Sequence, residues 1–79
     1  MNALDLVNVL GKKLIGRKVL TIPMGTWPGG KAKVINLGDD PNAPDIVMNV
    51  KPLDGQIDPD DDTPFESMGI FCHEDITLL

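Results

Sequence analysis

Three stretches of this chain gather reactive residue types at close spacing. Gly25-Thr26-Trp27-Pro28-Gly29-Gly30-Lys31-Ala32 is one residue short of a phosphate-cradling P-loop. That chemistry needs a Ser or Thr after the lysine to hold magnesium, and Ala32 stands in its place. It also needs a helix whose N-terminal amides meet the phosphate, whereas residues 31–37 alternate with the period of a strand. The glycines are read as turn formers, and nucleotide hydrolysis is not expected.

Asp58-Pro59-Asp60-Asp61-Asp62 invites a calcium reading. A loop of the EF-hand kind starting at Asp58 requires glycine at its sixth position and glutamate at its twelfth. Those positions hold Thr63 and Gly69, and Pro59 and Pro64 oppose flanking helices. A solvated loop is expected, whose charge also discourages edge-to-edge pairing of strands. Cys72-His73-Glu74-Asp75 places four ligand types in a row. Zinc needs ligands from separated segments, and no second Cys or His exists to complete a tetrahedron. A nucleophilic Cys needs a facing His, but neighbours in extended backbone point to opposite faces. The expectation is a chain with no catalytic residue, no metal site and no cofactor.

The whole chain has 79 residues, enough for one domain near the lower limit of unassisted folding. Such a chain buries about 60% of its unfolded surface and has a net stability of roughly 3–5 kcal/mol. The single cysteine excludes an internal disulfide. No basic, then apolar leader opens the sequence, and no apolar run approaches the ~20 residues that span a bilayer. A cytoplasmic location is expected. The net charge of −5 hides a division. Residues 1–33 hold six of the seven basic side chains (Lys12, Lys13, Arg17, Lys18, Lys31 and Lys33) against one acid, Asp5. Residues 34–79 hold eleven acids against Lys51. Such asymmetry marks charged partners, or two solvated faces of one small fold.

The elements that must carry these residues follow from periodicity. Residues 2–13 read as a short amphipathic helix capped by Asn2, with Asp5 three residues on, and with Leu4, Val7 and Leu10 or Leu14 as its apolar stripe. Gly11 or Gly16 ends it. A helix this short must lie on something, either its own sheet or another chain. From Arg17 the period changes to two. Strands are expected at 17–22, 31–37, 46–51, 66–71 and 76–79, separated by Met24–Gly30, the turn Gly38–Pro44 and a long acidic loop from Pro52 to Pro64. In the third strand Ile46, Met48 and Val50 take one face and Val47, Asn49 and Lys51 the other. Short strands between Gly/Pro turns favour an all-β barrel or sandwich.

Two parts of this pattern carry a resemblance. Gly16-Arg17-Lys18-Val19, Gly25, Gly29 and Ala32-Lys33-Val34 resemble the KOW motif of ribosomal and transcription-factor barrels, with one extra residue before Gly25 and Ala32 where glycine is usual. Gly69 through Leu79 resembles the closing strand, 3₁₀ turn and strand of Src-homology-3 domains. The resemblance implies a five-stranded SH3-like barrel over residues 16–79, preceded by a helical arm over 1–15, in a single domain. It further implies a core of Val19, Val34, Ile46, Met48, Val50, Phe71 and Ile76. Pro-rich peptides are not expected as ligands. The chain has no tyrosine, and Cys72, Glu74 and Asp75 stand where the peptide-binding groove has proline, asparagine and tyrosine.

Three kinds of partner remain. The first reading is a protein-interaction module, an accessory subunit or a small phage- or plasmid-type regulator. Its contact residues would be Met24, Trp27 and Pro28 on the glycine-rich loop, together with Arg17, Lys18, Lys31 and Lys33. Trp27 has two readings here, a plug over the open end of the barrel or a contact hot spot. The second reading is nucleic-acid binding through the basic half, KOW-like. The third is mimicry of nucleic acid by spaced carboxylates, namely Asp54, Asp58, Asp60, Asp62 and Glu66. No membrane partner is expected.

Overall fold

Asn2 begins the first element. Its side-chain oxygen accepts the Asp5 N–H at 2.8 Å, capping helix α1 (Ala3–Leu10). In this computed structural model, which describes residues 1–38 and 40–79, a 3₁₀ turn (Gly11–Leu14) follows, so the helical region divides in two. Asp39, within the expected turn Gly38–Pro44, lies outside the described residues.

Among the described residues seven strands come next: β1 (Lys18–Thr21), β2 (Gly30–Leu37), β3 (Ile46–Pro52), β4 (Ile57–Asp58), β5 (Thr63–Pro64), β6 (Met68–Phe71) and β7 (Thr77–Leu78). Five of them form one antiparallel sheet in the order β6-β3-β2-β1-β7. Among the described residues β6 and β7 are its two edges, so backbone pairing does not close the sheet into a barrel. The fold is mainly β, with one short helix.

Gly16 sets the start of β1. Its N–H donates to the Val34 carbonyl at 2.7 Å, while the Val34 N–H donates to the Arg17 carbonyl at 2.9 Å. Two residues thus oppose one, and Gly16 takes a φ of +90°, the geometry of a bulge that glycine adopts without steric cost. The bulge fixes the phase of β1, and every inward and outward assignment along it follows.

The inner face of the sheet meets α1. Val19, Ala32, Val34, Met48, Val50, Ile70 and Ile76 share one buried cluster with Ala3 and Leu6 of the helix and Leu14 of the 3₁₀ turn. The helix therefore packs on its own sheet, against β3 and β6. Its buried stripe is Ala3, Leu6, Val7 and Leu10, and Leu4 is 42% exposed, a correction to the stripe expected from spacing. Backbone anchoring gives the reason. The Ala3 N–H donates to the Glu74 carbonyl at 2.8 Å and the Leu4 N–H to the Cys72 carbonyl at 3.1 Å. These bonds satisfy two of the donors a helix start leaves free and fix the rotation of its first turn.

Two further expectations are corrected. Ile46 and Phe71 do not join the core cluster; they are cross-strand partners, and Phe71 is 38% exposed. The register of β3 against β6 shifts between Ile46 and Met48. Val47 packs on the core instead, and the Ile46 side chain lies over Gly69, which pairs with outward-facing Asn49. The acidic segment is also more than a loop. It contains a two-stranded hairpin, β4 with β5, whose turn is held by the Asp58 carboxylate accepting the Asp60 N–H at 2.9 Å.

Candidate functional site

Alternation that sends Val19, Ala32, Val34 and Val50 inward sends lysines outward. The register then decides which lysines meet. Lys18 of β1 lies directly opposite Lys33 of β2, and Lys33 lies directly opposite Lys51 of β3. Three cations thus form a row across three adjacent strands, with Cβ atoms of neighbours about 4.5–5.5 Å apart. Lys31 stands two residues along β2 on the same face, opposite Leu20. All four lysines are exposed.

Like charges directly opposite each other weaken a sheet by ~0.2–1 kcal/mol per pair. Among the described residues no carboxylate forms an ion pair with them. The sole ion pair among the described residues joins the Met1 ammonium to Asp75 at 3.1 Å. The stems of the lysines let the ammonium groups spread apart, so each keeps its water. An incoming anion would lower the repulsion and gain the attraction together.

The same face carries an aromatic platform near its β6 edge. The Phe71 and His73 rings stack with centroids 5.8 Å apart and planes 20° from parallel. Both residues are exposed. Along β3 the distance from Lys51 to Ile46, the strand partner of Phe71, is about 16–17 Å at the usual rise per residue. Between row and platform, the Asn49 amide donates to the Asn36 side-chain oxygen at 2.7 Å, so that strip of the face is polar.

The sequence candidates divide between this face and the interior. Lys18, Lys31 and Lys33 are brought together on it, and Arg17 is exposed at the bulge that begins β1. Met24, Trp27 and Pro28 are elsewhere. Met24 and Trp27 exchange backbone hydrogen bonds at 2.9 Å across the Gly25-Thr26 turn. Trp27 is only 1% exposed; its indole N–H donates to the Thr21 hydroxyl at 2.8 Å, and its ring meets Phe65 edge-on at 5.1 Å. It plugs the space between its own loop and the β4–β5 hairpin, so it offers no surface to a partner. Met24 is half-buried, and Pro28 is exposed beside the plug. Lys12 and Lys13 lie on the 3₁₀ turn that delivers Leu14 to the core, on the helix side of the sheet.

Two residues of the face were missed in the sequence. Lys51 sits alone in the acidic half, and only the register places it beside Lys33. Phe71 reads as core because its local alternation is strand-like and its neighbours are apolar.

The Cys72–Asp75 run separates into four unconnected roles. The Cys72 N–H donates to the Asp45 carbonyl at 2.8 Å, and its free thiol is half-buried. His73 stacks on Phe71. Glu74, 2% exposed, accepts the Phe71 N–H at 2.7 Å through its carboxylate and so closes the turn after β6. Asp75 pairs with the N-terminus. At one end of the lysine row, Asp58, Asp61 and Glu66 share an open cleft with Lys51.

No protein-family model, no curated protein and no solved structure matches this chain. Among the described residues no helix is long and apolar enough to cross a membrane.

Proposed function

We propose that this chain is a non-catalytic binding module on an SH3-like scaffold, and that its outer sheet face binds single-stranded nucleic acid. The row Lys18–Lys33–Lys51 carries the reading. Folding alone gives no reason to align three unpaired cations, whereas a phosphate backbone crossing the strands meets one on each. The Phe71–His73 stack supports single strands, because unpaired bases stack on exposed rings in a sequence-tolerant way. The scaffold assignment draws on the strand order, with the last strand beside the first, and on the turn between β6 and β7. The cytoplasm is the compartment that fits such a ligand and a free thiol.

A net charge of −5 does not oppose this reading at contact distance. Salt screens charges beyond about 8–10 Å, so the row acts on a ligand already touching it. Weak, salt-sensitive affinity follows. The test is anisotropy of a labelled single-stranded oligonucleotide titrated with protein over a series of salt concentrations. Three phosphate contacts give a slope of log affinity on log salt of about −2. Absence of binding at micromolar protein in low salt would remove the proposal. Polyglutamate serves as competitor: displacement of the oligonucleotide at equal charge concentration would mean that any polyanion suffices and that the aromatic platform has no part.

A second reading, a protein-interaction module, is favoured by a separate observation. An apolar groove lies between α1 and edge strand β7, away from the lysine face.

A further inference from the structure

Asp54-Gly55 is the one step in the chain where an Asp or Asn precedes glycine. In any Asp-X step the backbone nitrogen of X can attack the aspartate carboxyl carbon and close a five-membered ring. A side chain on X crowds that approach, and glycine has none. Both residues are exposed, in the turn between β3 and β4. Gly55 takes a φ of +64°, and a Cβ built on it would meet nothing within 4 Å. Among the described residues the Gly55 N–H donates to no acceptor, and the Asp54 carboxylate accepts from no donor. Nucleophile and carboxyl are both free.

Other aspartates lack one or both of these freedoms. Asp40 and Asp58 precede Pro41 and Pro59, whose nitrogen carries no hydrogen to give up. Their carboxylates also accept the Asn42 and Asp60 N–H groups, each at 2.9 Å. After Asp5, the Leu6 N–H is committed to the Asn2 carbonyl at 3.1 Å. After Asp45, the Ile46 N–H is committed to the Ala43 carbonyl at 3.2 Å. Asp75 pairs with the Met1 ammonium and is followed by β-branched Ile76.

We propose that Asp54-Gly55 is a site of spontaneous modification, where the main chain reroutes through the aspartate side chain to give isoaspartate. The Gly55 nitrogen bonds to the side-chain carboxyl carbon of Asp54. That carbon loses its hydroxyl, which leaves as water with the Gly55 amide proton. The resulting succinimide takes up one water. Attack at the side-chain carbonyl restores aspartate, while attack at the main-chain carbonyl gives isoaspartate with a free α-carboxylate. One water leaves, one enters, and nothing is oxidised or reduced. The product carries an extra carbon in the main chain beside Gln56. In the native turn the Asp54 N–H donates to Gln56 Oε1 at 3.1 Å, and Gln56 Nε2 donates to the Gly29 and Lys31 carbonyls, each at 3.3 Å. Gly30 makes room for that amide, since a Cβ there would lie 2.6 Å from Gln56 Nε2. Isoaspartate at 54 therefore loosens the clamp that holds this turn to the start of β2. None of these groups belongs to the Lys18–Lys33–Lys51 row, so the site stands apart from the nucleic-acid reading.

Prolonged warm incubation of the full chain, from mildly acidic to neutral pH, tests it. Isoaspartate is read by enzymatic methyl transfer from S-adenosylmethionine to the new α-carboxylate, and its position by electron-transfer fragmentation. Methyl acceptance should rise with time and map to residue 54, through an intermediate lighter by one water. A short peptide spanning residues 52–58 is the unfolded reference, and the full chain should be modified at a similar rate. Asp54→Glu, which would need a larger ring, should lose nearly all acceptance while keeping its circular dichroism. A full chain that stays unmodified while the peptide reacts overturns the proposal, as does acceptance at another aspartate in place of 54 or undiminished acceptance in Asp54→Glu. The clamp is tested by urea titration. Aged chain should unfold at a lower midpoint than fresh chain, fresh Gln56→Ala should show a similar drop, and ageing should lower Gln56→Ala no further. Equal midpoints for aged and fresh wild type, with isoaspartate present, would overturn the clamp. Neither readout involves an oligonucleotide, so failure here and failure of the nucleic-acid proposal are distinct results.

Discussion

The two faces of the central sheet are built from alternate residues of the same three strands, yet they obey different rules. On the inner face Val19, Ala32, Val34 and Val50 are buried to completion, and α1 lies across β3 and β6. Every side chain there has a packing reason, and burying a valine stabilises the fold by about 1.5–3 kcal/mol. One residue along each strand, Lys18, Lys33 and Lys51 stand in a line and form no ion pair among the described residues, with the nearest carboxylates in the cleft beside Lys51. That arrangement costs stability. A feature that folding does not require and slightly opposes is the natural place to look for a partner, and the contrast between the faces is what directs attention there.

The strongest way to break this contrast is to show that the faces respond alike to substitution. Trp27→Ala removes the largest buried side chain and its hydrogen bond to Thr21. The expected loss is about 3–5 kcal/mol, comparable to the whole stability of so small a domain, and urea titration followed by circular dichroism should find no cooperative transition. Gly38→Ala follows. A Cβ there would overlap the Ile46 carbonyl, backbone that cannot swing aside, so a loss of about 1–3 kcal/mol is expected in the same titration.

Outer-face substitutions should instead change binding. Phe71→Ala should weaken oligonucleotide affinity by roughly tenfold, the effect of losing one base stack. Its stability should fall by far less than that of Trp27→Ala, and equal losses would erase the distinction between the faces. Lys33→Gln sharpens the comparison further, because its two effects have opposite signs. Removal of the central cation should raise stability by ~0.2–1 kcal/mol and shift the salt slope of binding toward zero by about 0.7. The smallest effect is expected at the cleft by Lys51. Asp58→Asn with Asp61→Asn removes two carboxylates from that end of the row and should tighten binding by roughly two- to threefold at low salt, with the gain vanishing at high salt.

Much of the inner face was readable from the letters. The alternation of Val19, Ala32, Val34, Met48 and Val50 is local, and local periodicity fixes which side of a strand a residue takes. Ile46 and Phe71 escaped because the register shift between Ile46 and Met48 reverses the phase at one end of β3, and no composition rule marks it. The β4–β5 hairpin escaped for a different reason. Its four strand residues include a proline and two polar side chains, and its stability comes partly from Phe65 reaching Trp27 far back in the chain. The lysine row illustrates the general limit. Each lysine is visibly outward, but which ones line up depends on the Gly16 bulge and on loop lengths, quantities that couple distant parts of the chain.

The attachment of the helix start to residues 72–76 sets an order of events during synthesis. The carbonyls of Cys72 and Glu74 that receive the first helical amides leave the ribosome long after those amides do. Until they appear, Leu6 and Val7 have no finished surface to cover, and an eight-residue helix does not hold its shape alone. The helix is thus made well before the surface that settles it. During that interval its greasy side chains are open to whatever else is nearby, a sister molecule included.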